Sequence, residues 1–571
     1  MIDQATERAN PKDNAEPTES KPLVRKGEYD LCDWGEALLE EAQKAKTELA
    51  HDDQWDDRRN AFWGDQWPTS TPTFKPPIVV NEIQKLVFEE VSDLTDTRVG
   101  VFISKDPTNP ERDEEVEKSF QAYWTRDFVD HQLMLALVNA MLYPCGFIGC
   151  FWDPMRNRGQ GEVVTVSLNP KNVFPDPDCE DDERWRYVIY TDPLDLVQIR
   201  SQWVDQGWRV KPEAHLSTTM EQAGGTKTAG RFKGPLYAPG NGLITEGYSK
   251  ARATVKTLFI YDEELEETVD ESTDANGVLS LYSYVVQKYP NGRMLQWCND
   301  VVLFDGPNPY YGRFPIIRVT LVPSPGDFWP PESPVSGVLE LQKAANKMES
   351  QTVENAIRLN NGTVIADANS GINPSNYARI PGQPILTKQG TKATIVYPPP
   401  MPGDMVNAGE RMRGILRGQM GFTPSRIGTG QRGNVSAELN ETEISQAMSL
   451  SRLRGRLLHM SVQKLAQMIL ERMVQFYTTV RRMPYVSASK WEVVSWTPVS
   501  HNMMYLAQVD PASFQVKSKV MMQRLYLALA KMGKISSEDL LKMLELPDAE
   551  GMAKRLTQEL ELAAQAAKKK S

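Results

Sequence analysis

Gly428-Thr429-Gly430-Gln431-Arg432-Gly433 fits G-x-G-x-x-G, the pattern whose glycines let backbone approach a pyrophosphate at a helix N-terminus. That chemistry needs a strand before the turn, a helix after it and an acidic residue about 20 positions on. A helix follows, but residues 403–420 are no strand. Met405, Met412, Ile415, Leu416 and Met420 fall near helical spacing, with Arg411, Arg413 and Arg417 between them. The glycines therefore join two helices, and the pattern marks a long Gly- and Arg-containing loop rather than a nucleotide site.

A second stretch, residues 174–185, places Asp176, Asp178, Glu180 and Asp182 at positions 1, 3, 5 and 7 of a calcium loop. Asp181 stands where glycine is required and Tyr187 where a bidentate Glu should be, so a solvated acidic loop is the expectation. His51, His131, His215, His459 and His501 are far apart and form no H-E-x-x-H pair. The nearest approach to a P-loop, residues 224–228, lacks its spacing, and no G-x-S-x-G elbow is present. These patterns assign no catalytic residue, metal ligand or cofactor. A metal-dependent nuclease built on the acidic 176–183 cluster is the enzymatic alternative. Arg411, Arg413, Arg417, Arg426 and Arg432 read either as a solvated face or as transient phosphate contacts, which need charge but no base-reading geometry.

The chain has 571 residues, 40% of them hydrophobic, and a net charge of −11. That length allows several domains, and the charge argues against a wholly basic nucleic-acid binder. Its five cysteines show no C-x-x-C, so reduced thiols in a cytosolic setting are expected. The charged N-terminus has no signal-peptide pattern, and the longest nearly apolar run, 133–143, is too short to span a bilayer. No membrane association is expected.

The pattern predicts an α+β chain. Residues 1–28 read as a disordered tail. Helices are expected at about 33–60, 81–95 (N-capped by Asn81), 110–142 and from 193, with paired strands 145–153 and 162–168, an exposed loop at 219–245, and a β region from 253 to 320 that includes a hairpin turn at Asn291-Gly292. Ser333, Pro334 and Gly362 then frame a strong helix of roughly 40 Å. A compact β insert follows at 362–400, and a helix returns at 404–420. The longest helix is expected over 436–482, about 70 Å, with Gly455 as a possible kink. A helix of that length needs neighbours all along it, which points to an assembly. A strand at 491–498 and C-terminal helices complete the pattern.

The ordered set 62–68 (FWGDQWP), 145–154 (CGFIGCFWDP), 166–178 (VSLNPKNVFPDPD), 338–362 (VLELQKAANKMESQTVENAIRLNNG) and 420–430 (MGFTPSRIGTG) before a very long helix resembles portal proteins of tailed phages, particularly short-tailed ones, over about residues 30–510. The resemblance implies a homo-oligomeric ring, usually of twelve subunits, at one capsid vertex. It divides the chain into an N-terminal tail (1–28), wing (29–331), first stem helix (332–361), clip (362–403), second stem helix (404–420), tunnel loop (421–440), second wing segment (441–510) and crown (511–571). Arg417, Gly421, Arg426, Gly428, Gly430, Arg432 and Gly433 would then line the channel around non-specific double-stranded DNA. Asn376, Tyr377, Arg379, Lys388 and Lys392 would form the docking surface of the clip. The implied partners are the terminase large subunit, tail adaptor proteins, and the major capsid and scaffold proteins. The implied location is the virion, after assembly in the host cytoplasm. A capsid or scaffold interaction protein without a channel is the remaining alternative.

Overall fold

The structure is a computed structural model. It describes residues 28–532 and 540 other than 68–76, 97–99, 107–108, 180–181, 214–251, 262–264, 274–278, 312–313, 325–327, 330–331, 361–362, 368–387, 389–392, 398, 401, 404–406, 424–425, 427–447, 488–489, 498–504 and 510–525. The expected N-terminal tail before residue 28, the 219–245 loop, the Gly362 stop and most of the crown lie outside the described residues. The chain is α+β and divides into two units, residues 1–41 with 186–309, and 42–185 with 310–571.

Helix α1 (Glu28–Ala50) ends where His51 adopts a left-handed conformation (φ 50, ψ 53), and α2 (Trp55–Trp63) starts afresh. The single helix expected over 33–60 is therefore two. Trp55 Nε1 donates to Ala50 O at 3.0 Å, satisfying a carbonyl at the end of α1. Helix α3 (Glu82–Thr95) is capped as expected, with the Asn81 side chain accepting from Gln84 N. The antiparallel strands β1 (Val101–Asp106) and β2 (Asn109–Arg112) come next. The helix expected over 110–142 is also two, α4 (Glu114–Arg126) and α5 (Val129–Leu142), parted by left-handed Phe128. Strands β3 (Gly146–Asp153) and β4 (Glu162–Leu168) form the expected hairpin, followed by the short β5 (Val173–Pro175).

The first unit holds β6 (Tyr187–Asp195), α6 (Leu196–Gln202), β7 (Arg252–Ile260), β8 (Leu265–Thr273), β9 (Leu279–Gln287), β10 (Arg293–Cys298) and β11 (Val301–Pro307). Four of its strands form an antiparallel sheet in the order β11-β10-β7-β6. Its core gathers Leu196, Ile199, Val210, Val255, Cys298 and Leu303. The start of α1 lies against it. A Cβ on Gly35 would stand 2.8 Å from the Trp297 ring, and Trp297 Nε1 donates to Glu36 at 2.9 Å. The turn at Asn291-Gly292 does not close a hairpin, because β9 pairs with β8 whereas β10 pairs with β7 and β11. Gly292 (φ 83) passes so close to Ile260 O that a side chain there would collide.

The second unit continues with β12 (Ile316–Val319), α7 (Ser336–Asn360), β13 (Thr363–Ala366), β14 (Ala393–Val396), α8 (Ala408–Met420), α9 (Ser449–Phe476), β15 (Arg481–Ser487), β16 (Lys490–Trp496) and β17 (Leu506–Val509). Its sheets are β17-β1-β2, β12-β3-β4 and the pairs β13-β14 and β15-β16. Leu458, Val462, Leu465, Ala466, Ile469 and Met473 bury one face of α9, which packs on strands of both three-stranded sheets. Its 28 residues, about 42 Å, cover part of the 436–482 expected, of which residues 436–447 lie outside the described residues. It stops short of 482, where Tyr477 leaves helical geometry (ψ 72). There the Tyr477 carbonyl accepts from Trp496 Nε1 and its ring lies under the Arg481 guanidinium at 3.9 Å.

Gln463 and Gln467, one turn apart on α9, act together on the edge of β17. Their amides accept from Val509 N (2.6 Å) and Ala507 N (2.9 Å), and donate to Ala507 O and to Tyr505 O (3.0 Å). Each amide supplies both a donor and an acceptor, so together they replace a missing neighbouring strand.

Lys46 is fully buried. It donates to Pro170 O (2.6 Å) and Val173 O (3.0 Å) and faces the rings of Phe174, Trp55 and Trp329. Desolvation by burial lowers its pKa from 10.5 to about 7, against the pull of Asp52. Between those values the unfolded chain holds a proton that the folded chain lacks, so stability rises with pH across that window. The penalty is fully present below about 7. We expect the stability of wild type relative to Lys46→Met to improve from pH 7 to pH 9.5 by up to about 1.4 kcal/mol per pH unit, read as urea midpoints. A flat difference across that range would contradict the lowered pKa and mean that the lysine keeps its proton in the folded chain.

Candidate functional site

Helices α7 and α8 run out to and back from the β13-β14 hairpin, whose register pairs Thr363 with Val396 and Ala366 with Ala393. The Ser333 hydroxyl accepts from Ser336 N at 3.2 Å, capping the turn that leads into α7. At the other end, Gly421 (φ 89) closes α8, with Phe422 N donating to Arg417 O at 2.8 Å. Gly409 leaves room for the Glu349 carboxylate, whose Oε1 would lie 2.9 Å from a Cβ there. Ile357, Ile365, Val396, Tyr397 and Ile415 are exposed along this module.

Polar side chains root the module in the second unit. On α7, Gln342, Asn346 and Ser350 fall at successive i, i+4 positions, and all three hold the extended backbone ahead of α3. Ile78 N donates to Ser350 Oγ and Val80 N to Asn346 Oδ1 (both 3.1 Å), while Gln342 Nε2 donates to Val80 O (2.6 Å). On α8, Arg413 reaches Glu349 (2.8 Å) and Glu410 (2.9 Å). Arg417 forks onto both oxygens of Glu82 (2.7 and 3.3 Å) and also reaches Glu410 (3.1 Å). Burial acts to raise the Glu410 pKa, but the hydrogen bonds and charges of Arg413 and Arg417 outweigh it and hold the carboxyl below its usual value.

The junction beyond α8 is more deeply buried. Glu90 of α3 has no exposed surface, and its side chain meets Arg426 (2.7 Å), Arg454 (3.0 Å) and the Ser451 hydroxyl (3.0 Å). Arg426 also reaches Asp93 (2.7 Å), lies 4.0 Å from the Phe422 ring and donates to Gly421 O at 3.2 Å. Arg454 donates to Met420 O at 3.4 Å. The two guanidiniums thus serve the negative end of α8 as well as Glu90.

Several sequence expectations change here. Arg417 and Arg426, expected to meet DNA, spend their charge on carboxylates within the subunit, and the Arg426 side chain is only 4% exposed. Gly421, expected to lend loop mobility, is a helix cap with Leu450 close against it. Arg411 is exposed and makes no ion pair among the described residues. Gly428, Gly430, Arg432 and Gly433 lie outside the described residues, as do Asn376, Tyr377, Arg379 and Lys392 of the expected docking surface; Lys388 is described and exposed.

The acidic stretch is only in part the solvated loop expected: Asp178 and Glu183 are exposed, and Glu180 and Asp181 lie outside the described residues. Asp176 is fully buried and accepts from Asp178 N (3.1 Å), with Cys179 Sγ at 3.2 Å. Asp182 pairs with Lys464 of α9 at 2.6 Å. Beside that pair lies a cavity of about 260 Å³ lined by Arg318, Leu457 and Met460 among others, where Lys464 is already neutralised. No three His, Cys, Asp or Glu side chains converge as a metal site among the described residues. Of the histidines, His459 meets Val509 O at 3.2 Å, and His215 and His501 lie outside the described residues.

Glu82, Glu90 and Arg454 were not anticipated. Glu90 had a readable signal, because it occupies an apolar position in the series Ile83, Leu86, Val87, Glu90, Val91, Leu94 of α3. Arg454 likewise falls in the buried stripe of α9.

The chain matches no protein-family model and no curated protein. Among solved structures it is similar to a chain from the neck of an empty GTA particle computed with C6 symmetry. The two share 13% identity over 81% of this chain and 90% of that one, with a TM-score of 0.34.

Removing one partner of a buried pair strands the other charge. Arg426→Ala should therefore lower stability by about 3 kcal/mol, whereas Arg411→Ala should change it by less than about 0.5 kcal/mol. Urea unfolding of both variants checks this, and equal midpoints would refute the junction as drawn.

Proposed function

We propose that this chain is a portal-type subunit: copies assemble as a ring around a channel through which double-stranded DNA passes at a capsid vertex. The observation that carries the reading is the out-and-back module. A hairpin-tipped helix pair is held at its root by Glu82–Arg417 and Glu90–Arg426, and the start of α9 reaches the same Glu90 through Ser451 and Arg454. Such a module places the β tip away from the core, where it can dock another protein, while α7 and α8 serve as the stem.

In this reading the hairpin region is the docking surface for the terminase large subunit and later for tail adaptor proteins, and the rest of the second unit contacts capsid and scaffold proteins. DNA contact must be weak and independent of register, because the genome has to slide. Arg411 suits that task, since its charge is not spent within the described part of the subunit. Arg417 and Arg426 instead set the geometry of the stem root.

The primary test is the assembly state, read by solution mass and negative-stain imaging. The expected result is one main ring size with a central hole, unaffected by reductant. A uniform monomer at micromolar concentration would overturn the reading, and DNA cleavage with Mg²⁺ or Mn²⁺ would replace it with the nuclease.

A second test removes the tip alone. Because Ala366 pairs with Ala393, Asn-Gly can replace residues 367–392 and close the same strands with a two-residue turn. Rings should persist, and binding of motor and adaptor proteins should be lost. Undiminished binding would move the docking surface elsewhere.

A further inference from the structure

Helix α5 is apolar on both of its sides. From His131 to Leu142 it carries no Asp, Glu, Lys or Arg. Leu133, Ala136, Leu137, Ala140 and Met141 are buried, and the helix packs on α3, β3 and β4. The other side faces solvent. Met134 is 39% and Leu135 42% exposed, and Phe128, at the N-cap, is 71% exposed. Phe128 is the most exposed aromatic side chain among the described residues. A helix apolar all round is ordinarily buried all round, so this side calls for a cover.

Helix α9 has an open side as well. Strand β17 covers it from His459, which meets Val509 O, to Gln467, which meets Tyr505 O. Towards the N-terminus that side is bare. Leu453 (42%) and Met460 (60%) are exposed, Leu457 is half-buried between them, and Arg452 and Arg456 are exposed one turn apart. The cavity of about 260 Å³ opens beside Leu457 and Met460. An apolar cavity of about 150 Å³ holds benzene, so this one has room for a phenyl ring.

We infer that α5 of one copy packs across this side of α9 in a second copy, with Phe128 seated in the cavity. The inference rests on the ring reading above, in which two different faces must meet. Pairing α5 with α5 would close a two-fold dimer and leave the α9 side bare. Pairing α9 with α9 would set Arg452 and Arg456 against their own copies. The unlike pair covers both sides and repeats from copy to copy. Charge agrees with it. Asp130, the one acidic residue of α5, is exposed two residues from Phe128 and comes against a side whose exposed charges are both positive. An aromatic anchor seated in a pocket is the usual centre of such a contact.

The test uses the full chain. Asp tolerates the left-handed backbone that Phe128 holds (φ 52), so Phe128→Asp should fold with an unchanged or higher melting temperature. Its ring yield should fall about tenfold, as should that of Met460→Glu. Wild-type ring yield from both variants would overturn the inference. A photo-crosslinking side chain in place of Met460, in chains mixed with isotope-labelled wild type, should join residues 128–138 of the labelled copies. Crosslinks to another segment, or none to a labelled copy, would overturn it as well. Rings without this crosslink would remove the contact and leave the ring reading standing. The crosslink without rings would uphold the contact and remove the ring.

Discussion

A carboxylate with no exposed surface cannot remain charged in a protein interior without partners brought to it. Glu90 meets that condition with two guanidiniums and a hydroxyl drawn from different parts of the chain. Arg426 arrives just after α8, while Ser451 and Arg454 arrive on the first turns of α9. Neither arginine can leave without stranding the charge on α3, and neither reaches Glu90 unless α8 ends where it does. The carbonyls of Met420 and Gly421 complete the arrangement, since they accept from the same two guanidiniums. One buried charge therefore fixes the exit of α8 and the start of α9 against α3.

The same economy recurs without charge. Gln342, Asn346 and Ser350 on α7, and Gln463 and Gln467 on α9, present polar groups at helical i, i+4 spacing to extended backbone. A helix rises about 6 Å in four residues, close to the 6.6–6.8 Å between alternate residues of a strand, so the two ladders stay in step. These side chains satisfy backbone groups that a further strand would otherwise have to cover. In α7 the ladder also anchors the module that carries the hairpin.

Much of the fold was legible in the sequence because periodicity and caps report local structure. The Asn81 cap, the β3-β4 hairpin and the helix–hairpin–helix order all stand where the pattern put them. The misses have local causes. His51 and Phe128 are not residues that announce a left-handed break, so α1/α2 and α4/α5 read as continuous helices. Asn291-Gly292 carries a turn signal, but pairing is decided by distant strands, and β10 chose β7. At the candidate site the arginines were visible, but their partners lie more than 300 residues away on α3. Spacing along a chain cannot report such pairs. Only the misplaced charge on an apolar stripe, as at Glu90, hints that a partner must exist.

That distinction changes how basic residues in a DNA-channel reading should be weighed. Composition counts every arginine near the glycine-rich stretch as a possible phosphate ligand. The structure separates those whose charge is spent from those whose charge remains. Arg413, Arg417 and Arg426 each face two carboxylates, so a passing phosphate would have to compete with fixed partners at 2.7–3.1 Å. Arg411 faces solvent on the same helix and meets no such competition within the described chain. A channel that must let DNA slide gains from this division. In the proposed channel, charges locked in ion pairs would hold the wall in shape, and the few left exposed would give contacts weak enough to exchange from one phosphate to the next.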